Sequence, residues 1–206
     1  MPAVGPVETR PVGVRQALLV AAVAELAEHG SAGISLRAVA RRAGVSHAAP
    51  KNHFGDRAGL LTAVATTGFD DLADALRTVA DQDPGARLTS LGRAYIDFGL
   101  DNRALFDLMF RSVELHADDE ALRDAQAASI APLADAAAAI GSRGATPSPT
   151  LTVLAWALVH GLVVLVRDGA LRDQDRPGDP DTATALAHHA VATFSQLATR
   201  LPGRHD

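Results

Sequence analysis

Ser35 to Phe54 reads S-L-R-A-V-A-R-R-A-G-V-S-H-A-A-P-K-N-H-F, and this stretch decides the fold. Leu36, Val39, Ala40 and Ala43 recur at the spacing of one buried helix face, while Arg37, Arg41 and Arg42 fall off it into water. Ser35 is placed to cap that helix, because its hydroxyl can accept an unpaired first-turn N–H. Gly44 follows the last periodic residue, where a left-handed C-cap costs glycine little. Val45 closes the corner, and Ser46 is placed to cap a second helix over His47–His53. Two short helices meeting at a tight glycine turn form a helix-turn-helix, whose second helix enters the DNA major groove.

The run from Gly30 to Asp56, with A-G-V-S at its centre and H-F-G-D at its end, resembles the N-terminal domain of TetR-type transcriptional regulators. The resemblance implies an all-α chain of about nine helices. A three-helix DNA-binding domain over residues 1–60 would precede a regulatory and dimerisation domain over 61–206. It also implies double-stranded DNA as a partner: a palindromic operator bound by a homodimer, with half-sites about one helical turn apart or a spacing tied to it. The residues expected at the DNA are Ser35, Arg37, Ser46, His47, Ala48, Ala49, Lys51, Asn52, His53 and Arg57. Lys51, the only lysine, stands where such proteins usually carry a tyrosine against the DNA backbone. A rival reading is a small-molecule binding protein whose head no longer reads DNA.

Charge is distributed unevenly. The 206-residue chain has a formal net charge of −5, yet residues 1–57 hold seven cations against four carboxylates, a surplus of +3. The remainder holds twelve against twenty, or −8. A basic head on an acidic body directs one end to phosphates and repels them elsewhere. Absence of cysteine excludes disulfides and thiolate metal sites and fits a cytoplasmic protein.

The apolar run Ala17–Ala24 continues with helical periodicity to Glu28 and is expected to be a helix of the head rather than a signal peptide. Leu151–Val166 falls short of the ~20 residues of a membrane span and contains His160, so a buried helix is expected and no membrane partner. Beyond the motif, Asp56 is placed to cap a helix from Arg57 to about Ala80. Further helices are expected to about Leu100, after Asn102, to about Ile140, from about Thr150 to Leu171, and over Thr182–Leu201. Gly141–Pro149 and Arg172–Asp181 read as connections.

The helix from about Thr150 carries apolar residues on two nearly opposite faces and must be covered on both sides, and the last helix carries an apolar stripe of its own. Leu158, Leu162 and Leu165 on one, and Leu186, Ala190, Phe194 and Leu197 on the other, are the expected dimer contacts. The resemblance supports this, since TetR-type dimers usually join through these two helices. Trp156-Ala157-Leu158-Val159-His160-Gly161 is similar to a W-x-x-x-H-G signature of one subgroup. The resemblance further implies a body pocket for a small apolar effector. Phe98, Phe106, Met109, Phe110, Trp156 and His160 are candidates, as bulky apolar groups with one polar anchor. No catalytic or metal motif is present, so no catalytic residue, metal or cofactor is expected.

Overall fold

The computed structural model describes residues 13–141, 149–171 and 180–200, all helices and turns with no strand among them. The expected connections over 142–148 and 172–179 lie outside the described residues, as does the expected end of the last helix at Leu201.

Helix α1 (Val14–Gly33) breaks at Gly30, whose φ of 65° only glycine adopts readily. Helix α2 (Leu36–Ala43) begins at Ser35, whose Oγ accepts from Ala38 N at 3.1 Å, and ends at left-handed Gly44. Helix α3 (Ala49–Phe54) starts two residues later than the sequence suggests. Ser46 does not cap it: its Oγ accepts from Ala48 N at 3.3 Å in the preceding turn. Pro50, in α3's first turn, has no N–H that needs a cap.

Helix α4 (Arg57–Arg77) is capped by Asp56, whose carboxylate accepts from Gly59 N at 2.8 Å. Helix α5 (Pro84–Asp101) is capped by Asp83 in the same way. Helix α6 (Arg103–Met109) has no side-chain cap, because the Asn102 amide donates backwards to Phe98 O at 3.0 Å and closes α5 instead. A 3₁₀ turn, Ser112–Glu114, leads to α7 (Glu120–Gly141), α8 (Pro149–Arg167) and α9 (Pro180–Arg200).

Helix α4 begins in the head, crosses the expected boundary at residue 60 and runs through the body against α5, α6 and α7. Its buried residues Leu60, Leu61, Val64, Phe69 and Leu72 join one continuous core with Leu18 and Leu26 of α1 and Ile96, Phe106 and Leu122 of the body. Gly68 lets α6 approach closely, since a Cβ there would lie 2.8 Å from Met109 Sδ. Among the described residues, helix α8 alone is long and apolar enough to cross a membrane, by length and composition, with mean hydropathy 2.0. Here Leu151, Ala155, Val159, Leu162, Val163 and Val166 bury one face of it in the core.

Candidate nucleic-acid interface and ligand cavity

Helix α3 is held from behind. Pro50 is buried, Ala49 and Phe54 are half-buried against the core, and the Arg15 guanidinium lies 5.4 Å from the Phe54 ring centre. Ala48, Lys51 and Asn52 therefore share the exposed face at i, i+3, i+4 spacing, with His47 one turn before Lys51. His53 is exposed beside that face. Ala49 turns inward, so the expected pair of outward alanines reduces to Ala48.

Arg37, Arg41 and Ser46 are exposed, and Ser35 is occupied as a cap. Arg42 is not a free cation. Its Nε donates to buried Glu25 at 2.7 Å, and its terminal nitrogens grip Glu28. That hydrogen bond holds the Glu28 carboxyl below its ordinary pKa and, with Glu25, raises that of Arg42. The pairs fix α2 across α1 and so set the angle at which α3 is presented.

Arg57 departs from expectation. Its Nε donates to Ile34 O at 3.2 Å and its terminal nitrogen to Ser31 O at 2.5 Å, so the guanidinium ties the end of α1 to the start of α4. The same nitrogen lies 3.7 Å from Glu114 of the 3₁₀ turn, and Ser31 Oγ donates to the other Glu114 oxygen at 3.2 Å. Beside it, His116 N donates to the Thr62 hydroxyl at 2.9 Å, and His116 Nε2 lies 3.6 Å from Asp56. Arg57 thus ties the joint between head and body.

In the body, a cavity of about 380 Å³ lies between α4, α5, α7 and α8. Phe69 and Leu72 of α4, Leu91 and Tyr95 of α5, Phe110 just after α6, Ser129 and Ile130 of α7, and Trp156 of α8 are among its walls. Of the six expected ligand residues, Phe110 and Trp156 line it. Phe106 and Met109 are buried core, Phe98 is half-buried against the core, and none of these three reaches the cavity wall. His160 also stays off the wall: its ring stacks on Phe106 at 5.2 Å and meets the edge of Phe110 at 4.5 Å. Sequence reasoning missed Tyr95 as a site residue. Its hydroxyl lies 3.1 Å from His160 Nδ1 and accepts from Trp156 Nε1 at 3.3 Å. Burial raises the Tyr95 pKa, and burial followed by the positive charge of Arg167 lowers that of His160, so both are neutral near pH 7. The available signal was a buried phenol on α5 together with the W-x-x-x-H spacing on α8. No group of three or more His, Asp or Glu among the described residues could hold a metal.

Residues 18–64 match the family of bacterial regulatory proteins named for tetR, and residues 88–194, just over half of the chain, match the tetracyclin repressor-like C-terminal domain. The chain belongs to the TetR family. A solved structure of a protein of unknown function from Rhodococcus sp. RHA1 is 31% identical, with a TM-score of 0.74 over 91% of this chain and 98% of that one. A bacterial regulatory protein of the TetR family from Rhodococcus RHA1 shares the fold at 21% identity, with a TM-score of 0.63 over 94% and 98%. The uncharacterized HTH-type transcriptional regulator YobS of Bacillus subtilis (strain 168) is 29% identical over 101 residues. That match spans 47% of this chain and about half, 51%, of YobS.

In this TetR-family chain the outer side of α8 and α9 stays apolar. Val153, Leu154, Val164 and Leu165 on α8, with Leu186 and Leu197 on α9, are exposed, Leu197 by 58%. Leu158, Ala190 and Phe194 are half-buried at the margin of this surface. Leu162 is only 6% exposed and faces the chain's own core, so it drops out of the expected dimer contacts. The reason is rotational: the leucine stripe of α8 straddles the edge between its core and outer faces. A Cβ on Gly161 would meet nothing within 4 Å, so the glycine of the W-x-x-x-H-G run opens outward.

Proposed function

We propose that this TetR-family regulator is a cytoplasmic homodimer that represses transcription from a palindromic operator and leaves it when a small molecule fills the body cavity. The observation that carries the reading is the Ala48–Lys51–Asn52 face, exposed on a helix pinned from behind and joined to the cavity through one short segment. Lys51, Arg37 and Arg41 would supply phosphate contacts, and His47 with Ala48 would meet base edges, Ala48 suiting a thymine methyl. Two such heads would address half-sites roughly 34 Å apart or a spacing tied to it.

The outer α8–α9 surface supports the dimer. Covering Val153, Leu154, Val164, Leu165, Leu186 and Leu197 in a bundle with a second copy would gain on the order of 1 kcal/mol for each. Gly161 would allow the two α8 helices to approach closely.

The route from cavity to head runs from the end of α6 through the 3₁₀ turn. Phe110 forms part of the cavity wall, and four residues later Glu114 holds Ser31 and Arg57. A molecule pressing on Phe110 shifts the 3₁₀ turn and α4 together, and the heads then no longer match successive grooves.

The test is selection of fragments from the host genome by the purified chain. Enriched fragments sharing a short palindrome, bound by two chains, are expected. Absence of enrichment by a folded protein would favour the rival reading, a small-molecule binding protein without operator recognition.

A further inference from the structure

The cavity's polar inventory is small. Among the described residues its lining includes no Asp, Glu, Lys, Arg or His. Gln126 is exposed at the rim, and Ser129 commits its proton to Gln126 O at 2.8 Å on its own helix. An ionised ligand group placed inside would be buried without a counter-charge, which is costly enough to exclude it.

Tyr95 is different, because its hydroxyl is held from two sides. A phenolic hydroxyl offers one donor and two acceptor positions. Trp156 Nε1 can only donate and occupies one acceptor position. His160 Nδ1 occupies a second position: the proton if that nitrogen accepts, the other lone pair if it donates. Either way one position is left over, on a side chain that lines the cavity. His160 itself is wedged between Phe106 and Phe110, and so fixes the direction of the phenol without touching the cavity.

We infer that Tyr95, oriented by Trp156 and His160, is the specific polar anchor of the cavity, and that its effector is an uncharged, mainly hydrocarbon molecule bearing one hydroxyl or carbonyl oxygen. This rests on the cavity being the effector site. It also gives the W-x-x-x-H-G run a physical role: Trp156 and His160 aim the anchor from one side of α8, while Gly161 opens on the other.

Four probes with one skeleton test it: 4-tert-butylbenzyl alcohol, 4-tert-butylacetophenone, 4-tert-butyltoluene and 4-tert-butylbenzoate. Binding to the full chain is followed by calorimetry and by the fluorescence of Trp156, the only tryptophan. The alcohol or the ketone should bind about fivefold or more tighter than the toluene, the scale of one net hydrogen bond, and the benzoate should not bind measurably. The alcohol satisfies either tautomer of His160, whereas the ketone needs Tyr95 to keep its proton, so their order reports which nitrogen is protonated. Tyr95→Phe should erase the advantage of the oxygenated probes over the toluene.

Toluene and alcohol binding alike, to wild type and variant, would overturn the anchor and leave the cavity reading standing. Benzoate binding as tightly as the alcohol would overturn the uncharged class. Silence from all four with folded protein would overturn the inference and remove the cavity as an effector site as well. The wild-type ranking is decisive even if Tyr95→Phe fails to fold.

Discussion

Lys51 and Asn52 on a six-residue helix, with Ala48 just before it, stand in water, whereas Tyr95 lies inside the body, its hydroxyl fixed by Trp156 and His160 more than sixty residues away. The head meets a partner of known, repeating charge, and needs cations and small side chains on a rigid face. The body, on the proposed reading, would meet a molecule that must leave water, and it offers an apolar hollow with one satisfied polar group. Surface recognition is written in neighbouring residues; enclosed recognition is written across helices. The joint at Ser31, Arg57 and Glu114 is where one kind of site would control the other.

The comparison breaks most severely if the two heads are uncoupled. Leu165→Glu or Leu197→Glu places a charge in the outer apolar surface and should yield monomers by light scattering. Operator affinity should fall about 10²-fold or more, since two linked half-site contacts become one. A well-folded wild-type monomer at micromolar concentration would refute the dimer.

Next in size is base reading. His47→Ala should change base preference at one operator position, with a loss of about 1–3 kcal/mol of discrimination. Binding-site selection on His47→Ala and Asn52→Ala checks this. Unchanged preferences in the first and a lost one in the second would move the role to Asn52, which shares the exposed face of α3. If neither changes, sequence is read through DNA shape.

Lys51 and Arg57 sharpen the comparison further. Lys51→Ala should weaken binding to all sequences and flatten the slope of log K against log salt by about one unit. Arg57→Ala should leave that slope unchanged while lowering the melting temperature, because its guanidinium is spent on Ser31 O, Ile34 O and Glu114. Equal slope changes in both variants would return Arg57 to the DNA face.

These two cations show what the linear sequence can convey. Ser35, Gly44 and Asp56 were legible because a cap and its N–H, or a turn and its φ, lie within a few residues. The exposed arginines and Lys51 were legible from a local helical stripe. The joint contacts of Arg57 were not, since they reach the carbonyls of Ser31 and Ile34 and a carboxylate 57 residues downstream. For the same reason bulk alone misassigned Phe98, Phe106 and Met109 to the cavity. Period and size mark a residue as apolar, but whether it faces core or hollow depends on how α4, α5, α7 and α8 spread. Leu162 missed the outer face because a stripe stepping by three and four drifts across a helix boundary by only tens of degrees.

The smallest expected effect is on pH dependence. Burial lowers the folded pKa of His160 below its unfolded value near 6.5, so the unfolded chain takes up that proton first as the solution is acidified. This contribution to stability is intact above pH 6.5 and is lost as pH falls through the lower folded value. Urea unfolding at pH 7 and in the acid range below 6.5 should show a decline that His160→Gln reduces; an identical decline in both proteins would contradict it.

The most direct test of the whole account is a paired titration. A labelled operator from the genomic selection is held by the wild-type protein while 4-tert-butylbenzyl alcohol is added. Trp156 fluorescence reports occupancy of the cavity and anisotropy reports the DNA. The account predicts that operator release and the Trp156 signal share one midpoint, and that Glu114→Gln keeps the Trp156 response while blunting release. A Trp156 response that saturates with the operator still fully bound to wild type would contradict it.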